Sequence, residues 1–475
     1  MDIKKLKKIN EFEWEILKQG NMNVPAKIFA NKKLIQDMDD KVFEQLSNVA
    51  TLPGIEKAAL AMSDAHWGYG FPIGGVAAFN LDKGVVSVGG VGFDGGCGVR
   101  TLATNLTLSE IKPKIKQVVD QLFRDVPAGL GKRGEITLSS KEVNDVLISG
   151  AKWAVEKGYG IKEDLEFIED NGCVKGANPN KVSELAIKRE KKQIGTLGSG
   201  NHYLEIQYVD EIYDEKAAKA FNLSKGQILI SIHCGSRALG HQIGTDYLKV
   251  LAEASRKYNI PIHERELVCA PINSKEGKDY FEAMTCALNY SYANRQVIVE
   301  LVRKSIARIF PKVKIKTFYD ISHNSAKKEE HLVDGKKIEL LVHRKGATRA
   351  FGPDMKEIPK EYRAIGQPVI IGGTMGTESY ILHGTDEGMK KSFGSACHGA
   401  GRAMSRTQAL KNYKGSEIIK ELEKKGIYAR AHSLHGLAEE APLAYKNVKD
   451  VIESMHSAGI AKKVVRLKPI GNIKG

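Results

Sequence analysis

Side chains that bind metal ions recur in five glycine-rich segments that are spread over most of the 475-residue chain. These segments lie at residues 64–100, 195–205, 232–242, 321–326 and 395–402. A single site built from all of them requires a fold that brings distant parts of the chain together. The sequence shows no convincing linker, internal repeat or low-complexity segment, so we expect one large domain over residues 1–475.

The charge balance indicates the kind of partner. Lys and Arg number 72 against 57 Asp and Glu, a net charge of +15. A surplus of this size favours a polyanion such as nucleic acid or an anionic membrane, although a solvated Lys/Glu surface gives the same count. The hydrophobic fraction of 42% and the charged fraction of 27% exclude wholesale disorder, a coiled-coil rod and a fibre.

Cysteine usage and apolar segments predict a cytoplasmic protein. The six cysteines are scattered without a CxxC pair or a disulfide framework, which is typical of a reducing compartment. The longest apolar segments are strand-length, far short of the roughly 20 residues that span a bilayer. The first fifteen residues alternate in charge and lack the apolar core of a signal peptide.

Local patterns predict an α+β fold with mixed sheets and flanking helices. Helical spacing and cap residues predict helices at residues 37–49, 109–125, 139–158, 279–309, 403–410, 416–424 and 448–456. Runs of β-branched residues predict strands at residues 84–88, 227–233, 337–343 and 368–372. Strands and helices do not alternate regularly, which argues against a doubly wound parallel sheet. The charged stretch 158–192 is predicted to be a long surface excursion.

Asp94 and Cys97 are separated by two glycines, so a carboxylate and a thiolate can converge on one ion. Oxygen with sulfur suits a borderline divalent metal, although a buried structural cysteine in a tight turn is the alternative for this pair alone. His202, His233 and His323 each close a strand or enter a turn, and together the five favour a metal site. A single catalytic zinc ion is bound by three protein ligands, and this set has five. Two metal ions bridged by Cys97 are therefore expected.

Other segments suggest phosphate binding. The glycine runs 195–200 and 372–376 could form anion-binding nests or be simple turns, and neither matches the Walker pattern. His398 precedes the predicted helix 403–410, so it could lie near a helix N-terminus as a base, ligand or nucleophile, or be a surface histidine in a capping turn.

Five basic residues outside the diffuse surface runs are candidates for phosphate or RNA contacts. They are Arg237, Lys345, Arg349, Arg402 and Arg406. For Lys345 and Arg349, salt-bridge roles are the alternative. His66 and His241 could support the ligands from behind, and the remaining histidines are expected to be structural or on the surface.

Eight motifs in order carry a resemblance to a known family. They are GYGFPIGG, GGVGFDGGCGVR, GSGNHYLEI, HCGSRALGHQ, SHNSA, HRKGATRAFGP, GGTMGTESY and CHGAGR, and the terminal IKG also fits. The chain closely resembles the RtcB family of GTP-dependent RNA-splicing ligases over nearly its whole length. The fold that this resemblance implies is a complex α+β domain with a deep active-site cleft.

The resemblance implies an activity and two metal sites. Family members join RNA 3′-phosphate or 2′,3′-cyclic phosphate ends to 5′-hydroxyl ends with GTP and manganese, in tRNA splicing and RNA repair. By motif, Asp94, Cys97 and His202 would bind one manganese ion, and Cys97, His233 and His323 the other. His398 would be the nucleophile that forms a covalent GMP intermediate. Some relatives also use an archease-type activating protein.

The resemblance further implies a nucleotide pocket. Its residues would be Asn201, His202, Tyr203, Leu204, Glu205, His323, Asn324, Gly372, Gly373, Thr374, Met375, Ser379, His398, Gly399, Ala400, Gly401 and Lys474. Tyr445 is a weaker candidate for a wall against the guanine. Cys234, Ala238 and Tyr203 depart from the residues common in the family, but none of these departures removes a ligand or the nucleophile.

Two other functions compete with the ligase. A two-metal phosphoesterase acting on nucleic acid would use the same ligands without a covalent nucleotide. A nucleic-acid-binding module would hold a closed, structural metal and turn over no GTP.

Overall fold

The computed structural model of the chain describes residues 6–129 and 131–475. These residues form strands β1 (Lys7–Asn10), β2 (Glu13–Ile16), β3 (Ala26–Phe29), β4 (Ala59–His66), β5 (Ile73–Asn80), β6 (Val85–Ser87), β7 (Gly98–Thr107), β8 (Tyr203–Ile212), β9 (Gln227–Cys234), β10 (Cys269–Pro271), β11 (Ile315–Ser322), β12 (Asn324–Val333), β13 (Lys336–Lys345), β14 (Ala347–Arg349), β15 (Pro368–Ile371), β16 (Ser379–Gly384), β17 (Ser395–Cys397), β18 (Tyr428–Ala431) and β19 (Ala461–Lys474).

Helices flank these strands. They are α1 (Lys32–Gln36), α2 (Asp40–Val49), α3 (Leu108–Ile111), α4 (Ile115–Asp125), α5 (Ser140–Ser149), α6 (Ala151–Glu156), α7 (Glu184–Glu190), α8 (Glu215–Ala220), α9 (Arg237–Lys257), α10 (Lys275–Ala307), α11 (Asp386–Ser392), α12 (Arg406–Asn412), α13 (Gly415–Lys424), α14 (Leu434–Glu439) and α15 (Val448–Ser457). Short 3₁₀ turns lie at Lys112–Lys114, Lys162–Phe167, Glu169–Gly172, Pro179–Lys181, Arg265–Leu267 and Pro442–Ala444.

Two large sheets organise the fold. The first has the strand order β1-β2-β3-β4-β5-β13-β12, and the second has the order β11-β7-β9-β8-β19-β16-β15 with β18 beside β19. Two-stranded sheets join β10 to β6 and β14 to β17. Most pairings are antiparallel, and only β3 with β4 and β18 with β19 run parallel among the described strands. The predicted α+β class with mixed sheets is confirmed.

The long helix α10 packs against the second sheet and the helices around it. Its N-cap is Ser274, whose side chain accepts a hydrogen bond from the backbone N–H of Gly277. The helix is buried on several faces, with Leu288, Val297 and Ile298 at 0% exposure. Burial on more than one face is typical of a helix in the middle of a large domain. The predicted helix 279–309 is therefore confirmed, although it begins one turn earlier.

Several predicted helices are interrupted or shifted. The prediction of one helix over 139–158 is wrong because Gly150, with φ of +57°, separates α5 from α6. A side chain there would lie 2.2 Å from the carbonyl oxygen of Gly172, so only glycine fits at this break between the two helices. The predicted helix 109–125 is broken by the 3₁₀ turn at Pro113, since proline cannot donate in the helix interior.

Two further predictions need correction. The predicted helix 403–410 begins only at Arg406, capped by the Ser405 side chain, so His398 does not lie at a helix N-terminus. The prediction that 158–192 is a surface excursion is wrong in part, because its Asp164 and Glu169 side chains are 2% and 1% exposed. Both carboxylates pair with buried or half-buried cations, which compensates their desolvation.

A buried charge cluster ties α10 to the second sheet. Arg295 on α10 and Arg100 on β7 both bind Asp320 on β11, at 2.9 Å and 2.5 Å, and all three are 0% exposed. Arg295 also donates to the carbonyl oxygens of Gly96, at 2.9 Å, and Cys234, at 2.7 Å. One guanidinium thus fixes the backbone just before β7 and at the end of β9.

Among the described residues no helix is both long and apolar enough to cross a bilayer. All six cysteines are free thiols, as their sequence spacing predicts.

The cluster predicts a large effect of one substitution on stability. In Asp320→Asn, Arg100 and Arg295 lose their shared negative partner inside the protein, so we expect about 3–5 kcal/mol of destabilisation. The measurement is the midpoint of chemical or thermal unfolding. Glu44→Gln, which removes an exposed pair with Lys41 on α2, is the control and should change the midpoint far less. Equal shifts in the two variants would contradict this account.

Candidate active site

The ends of four neighbouring strands meet at one edge of the second sheet. In the antiparallel register, Gly98 at the start of β7 lies opposite Cys234 at the end of β9 and Ser322 at the end of β11. Tyr203 at the start of β8 lies opposite His233. Residues next to these ends are therefore brought together even though more than 200 positions separate them along the chain.

Five donor side chains form a row at this edge. The Asp94 Oδ2 atom lies 3.0 Å from His202 Nε2, which lies 3.3 Å from Cys97 Sγ. Cys97 Sγ lies 3.3 Å from His233 Nε2, which in turn lies 3.2 Å from His323 Nε2. The row therefore runs Asp94, His202, Cys97, His233, His323, with the thiol in the middle.

The turn before β7 places two of these donors. Gly96 has φ of +74°, and a side chain there would lie 2.6 Å from Ser291 Oγ on α10. Glycine therefore lets the turn pack directly against the helix. The Cys97 N–H donates to the carbonyl oxygen of Asp94 at 3.0 Å, which closes the turn, and the Cys97 carbonyl accepts from the His323 N–H at 2.8 Å.

The electrostatics of the row suit a cation. Burial would raise the pKa of Asp94, but the hydrogen bond and charge of His202 and the charge of Arg237 lower it to about 2. Burial lowers the pKa of His233 and of His323 well below the usual range, so both imidazoles are neutral. Burial and the charge of Asp94 raise the pKa of the Cys97 thiol. A carboxylate and neutral imidazoles beside a thiol make up a metal-ligand set.

The ligand atoms of Cys97, His202 and His233 all lie within 4.8 Å of one another, close enough to share an ion. His233 Nδ1 hydrogen-bonds the carbonyl oxygen of Asn201 at 3.1 Å, so its Nε2 is the nitrogen left for a metal. The residues present therefore fit a divalent cation bound by oxygen, nitrogen and sulfur.

His398 lies beside the end of this row. Its ring centroid is 4.7 Å from that of His323, and its side chain is 14% exposed. The His398 Nδ1 atom lies 2.7 Å from Asp64 Oδ2, which also accepts from the backbone N–H of His398, at 3.1 Å, and of Gly399, at 3.3 Å. The hydrogen bond between Nδ1 and Asp64 leaves Nε2 as the ring nitrogen for another partner.

Asp64 is the residue that sequence reasoning missed. It ends up beside His398 because β4, which carries it, packs against β17, the strand that precedes His398. Asp64 is 0% exposed, and the charge and hydrogen bonds of His398 lower its pKa although burial acts in the other direction. Its place in the glycine-rich segment 64–75 was the available signal, but no spacing rule links positions 334 residues apart.

A cleft of about 680 Å³ opens at His398. Twelve of the predicted nucleotide-pocket residues line it, namely Asn201, Tyr203, Glu205, Gly372, Gly373, Thr374, Met375, His398, Gly399, Ala400, Gly401 and Lys474. Tyr445, the weaker candidate, also lines the cleft. The glycine run after β15 reaches it because the Ala400 N–H donates to the Gly372 carbonyl at 3.1 Å.

Strands β8 and β19 supply one wall. Asn472 lies opposite Glu205 and Lys474 opposite Tyr203 in their shared register. Asn472 Nδ2 donates to Glu205 Oε2 at 2.6 Å, and burial raises the pKa of Glu205 to about 7. Burial lowers the pKa of Lys474, whose ammonium lies 5.6 Å from the Tyr203 ring centroid. This wall therefore offers a carboxyl, an amine and an aromatic ring to a ligand.

The other five predicted pocket residues do not line this cleft. His202 and His323 belong to the donor row, and the Leu204 side chain packs in a hydrophobic core. Ser379 Oγ accepts from the Gly373 N–H at 3.0 Å, and so it supports the glycine loop from behind. Asn324 donates to the carbonyl oxygen of Asp94 at 3.1 Å and accepts from the Gly346 N–H, which braces the turn that carries Asp94 and Cys97.

The structure separates the five basic candidates. Arg349 is 2% exposed and pairs with Glu169 and Asp170, so the proposal that it contacts RNA is wrong and the salt-bridge alternative applies. Lys345 is 6% exposed and donates to backbone carbonyls, which likewise removes it from the surface. Arg402 is held by Glu440 at 3.4 Å and stacks over the Tyr445 ring.

Arg237 and Arg406 remain accessible in a second cavity of about 720 Å³. Asp94 and His202 line this cavity too, so it reaches one end of the donor row. Asn201 and Arg406 line both cavities. His241 also lines the second cavity, whereas His66 lines the first.

Comparison with known proteins identifies close relatives. The family described as "tRNA-splicing ligase RtcB" matches residues 45–475. A tRNA-splicing ligase RtcB of Archaeoglobus fulgidus is 52% identical over 99% of both chains. Proteins of the same name from Thermococcus kodakarensis, at 51% over 99% of both chains, and Methanococcus maripaludis, at 52% over 96% of this chain and 95% of the relative, are similar.

The donor row predicts cation binding that depends on its middle member. In Cys97→Ala the thiol between His202 and His233 is lost, so we expect the affinity for Mn²⁺ and Zn²⁺ to fall at least roughly 10-fold. Equilibrium dialysis with elemental analysis measures this. Cys173→Ala, at a half-buried cysteine away from the row, is the control. Unchanged metal affinity in Cys97→Ala would remove the thiol from the site.

Proposed function

The chain belongs to the RtcB family of tRNA-splicing ligases, and from this membership we propose that it seals RNA 3′-phosphate or 2′,3′-cyclic phosphate ends to 5′-hydroxyl ends. We further propose that it uses GTP and two manganese ions, passes through a covalent GMP adduct on His398, and serves tRNA splicing and RNA repair in the cytoplasm. An archease-type protein is the activating partner that the membership suggests.

The observation that carries this proposal is the position of His398. Its ring lies beside a row of five metal donors, Asp64 fixes its Nδ1, and it opens onto a cleft large enough for a nucleotide. A two-metal phosphoesterase would need the donor row but would have no use for a buried carboxylate that orients a fourth imidazole, outside the row, toward the cleft. The geometry therefore favours nucleophilic catalysis by His398.

We assign the row to two cations that share Cys97. Asp94, Cys97 and His202 would hold one, and Cys97, His233 and His323 would hold the other. The order of the donors in the row supports this division, because the thiol lies between the two pairs of partners. When bound, such ions would polarise phosphate oxygens and offset their charge.

The proposed reaction has three transfers after any cyclic end has been opened to a 3′-monophosphate. First, His398 Nε2 attacks the α-phosphorus of GTP, so a P–N bond forms and pyrophosphate leaves. An oxygen of the RNA 3′-phosphate then attacks the same phosphorus, which breaks the P–N bond and regenerates the imidazole. Finally, the 5′-hydroxyl oxygen attacks the phosphorus of the RNA 3′-phosphate and the P–O bond to GMP breaks. The phosphodiester forms, and the hydroxyl proton passes to the released GMP or to water.

Residues of the cleft have separate proposed tasks. Asp64 holds the proton on Nδ1 and stabilises the imidazole as charge develops on it. Lys474 supplies a positive charge on the wall that also carries Glu205, and the amides of the glycine loop after β15 can donate to phosphate oxygens. The second cavity, with Arg237 and Arg406, suits an RNA phosphate.

Labelling by GTP tests the proposal. Wild-type protein incubated with Mn²⁺ and GTP labelled at the α-phosphate should retain acid-labile label through denaturing electrophoresis. His398→Ala should retain none, because no other group would form the P–N bond. His263→Ala, at an exposed histidine outside both cavities, should label like the wild type.

The outcomes separate the competing functions. Neither a phosphoesterase nor a binding module with a structural metal would carry labelled nucleotide. An unlabelled wild type would therefore reject the ligase mechanism, and persistent label in His398→Ala would reject His398 as the nucleophile.

Asp64 should control the rate of this first transfer. Asp64→Asn keeps the shape of the side chain but removes its charge, and its amide can hold the wrong tautomer of His398. By analogy with other aspartate–histidine pairs, we expect single-turnover label transfer to slow roughly 10²- to 10⁴-fold. Asp82→Asn, in an exposed turn, is the matched control. A rate equal to that of the control would show that Asp64 has no part in activating His398.

A further inference from the structure

Two large aromatic side chains stand in solvent at the rim of the active-site cleft. Trp67 is 57% exposed and Tyr69 is 64% exposed, and both line the cleft that contains His398. The other two tryptophans of the chain, Trp14 and Trp153, are 4% and 5% exposed. Trp67 is therefore far more exposed than the other two tryptophans.

The backbone under these rings is fixed from one side by α2. The Gln45 side chain, 1% exposed, donates to the carbonyl oxygen of Gly68 at 2.7 Å and accepts from its N–H at 3.2 Å. Glu264 accepts from the Gly70 N–H at 3.0 Å and from Gln45 Nε2 at 2.9 Å. Both peptide groups flanking the rings are therefore held by side chains from distant parts of the sequence.

A buried lysine fixes the loop from the other side. Lys345, at the end of β13, donates to the carbonyl oxygens of Tyr69 and, at 3.1 Å, Phe71. Gly70 has φ of +74°, and a side chain there would lie 2.7 Å from the backbone of Glu266. Three polar side chains and a close backbone approach thus order a six-residue loop between β4 and β5 whose two largest side chains remain in water.

The two rings have no aromatic or cationic partner within residues 6–129 and 131–475. Neither stacks on another ring, and no Lys or Arg lies over either of them, whereas Tyr203 and Tyr445 in the same cleft each have a cation over the ring. Rings held on an ordered loop lose little conformational entropy when they bind. Their faces are therefore available for stacking.

Charged side chains in the same cleft indicate how its two kinds of nucleic-acid group would be received. Asp37 and Asp39, both exposed, line the same cleft near α2. Carboxylates repel phosphate groups but accept hydrogen bonds from the exocyclic amines of bases. The two carboxylates could therefore accept hydrogen bonds from a base, while Arg402, Arg406 and Lys474, which line the same cleft, are suited to phosphate groups.

We propose that Trp67 and Tyr69 form a stacking platform for unpaired nucleobases of the RNA end that enters the cleft. This inference rests on the proposed RNA ligase function and adds the feature of the substrate that the rim recognises. Proteins bind single-stranded RNA by stacking bases on aromatic rings, which tolerates any sequence because every base has a π-face. The platform selects frayed, single-stranded ends over ends paired up to the terminal nucleotide.

Tryptophan fluorescence tests the contact directly. The full-length protein with Mn²⁺, but without GTP, is titrated with a 3′-phosphorylated RNA oligonucleotide, and binding is followed in parallel by anisotropy of a label at the far end. We expect RNA to quench the emission of Trp67, and Trp67→Phe, which keeps only the buried Trp14 and Trp153, to bind without that quenching.

Abasic RNA makes the test specific to bases. Oligonucleotides that each lack one base within the last few positions are compared, and one such position should lose the quenching in the wild type. The same fractional quenching in Trp67→Phe, or equal quenching by every abasic RNA, overturns the proposal. So does saturating binding by the wild type with no quenching.

Ligation kinetics provide a second readout. Loss of one stacked base predicts a rise in KM for RNA of roughly 5- to 100-fold in Trp67→Ala, with recovery in Trp67→Phe. Tyr213→Ala, at an aromatic residue that is 38% exposed outside the cleft, is the control. An unchanged KM in Trp67→Ala overturns the platform.

The two levels of inference fail differently. An unlabelled wild type in the GTP experiment rejects the ligase mechanism, whatever the fluorescence shows. If the wild type is labelled by GTP but its Trp67 emission does not change when RNA binds, only the stacking platform is rejected.

Discussion

The buried guanidinium of Arg295 is the constraint on which the active site depends. It binds Asp320 on β11 and the carbonyl oxygens of Gly96 and Cys234. One rigid group on α10 therefore fixes the relative positions of three neighbouring strands near their ends. The residues next to those ends include Cys97, His233 and His323. The carbonyl groups of Gly96 and Cys234 are hydrogen-bonded in a buried region, where breaking these bonds would cost free energy. The adjacent donor side chains, whose ligand atoms lie 3.0–3.3 Å apart, are therefore held at that spacing. A charge buried directly behind the donor row thereby helps to determine the geometry of the site.

The sequence predicts which residues form the site better than it predicts the fold that holds them. Short glycine-rich motifs specify local turns, and the types of side chain in them indicate their chemistry, so the donors Asp94 and Cys97 could be identified from the chain alone. The α+β class followed from irregular alternation of elements. Helix boundaries were predicted less well, since the helical pattern continues across Gly150, where the backbone leaves the helix and packs closely against Gly172. That contact joins distant segments, and no local periodicity records it.

Residues whose roles arise from long-range contacts could not be predicted. Strand β19 lies between β8 and β16 in the second sheet, yet its lysines, proline and glycine obscure any strand pattern. Asp64 resembles any other polar residue in the sequence, because its position beside His398 depends on the packing of β4 against β17. For Arg349 and Lys345 the sequence left phosphate contacts and structural roles as alternatives, and the burial of both side chains favours the structural roles. Burial depends on the packing of whole elements, which the sequence specifies only collectively.

The donor row lies between two cavities that share Asn201 and Arg406. His233 faces the 680 Å³ cleft, whereas Asp94 and His202 face the 720 Å³ cavity. Residues of the donor row therefore line two neighbouring cavities. Two different ligand groups could therefore lie against opposite ends of the row at the same time, one in each cavity.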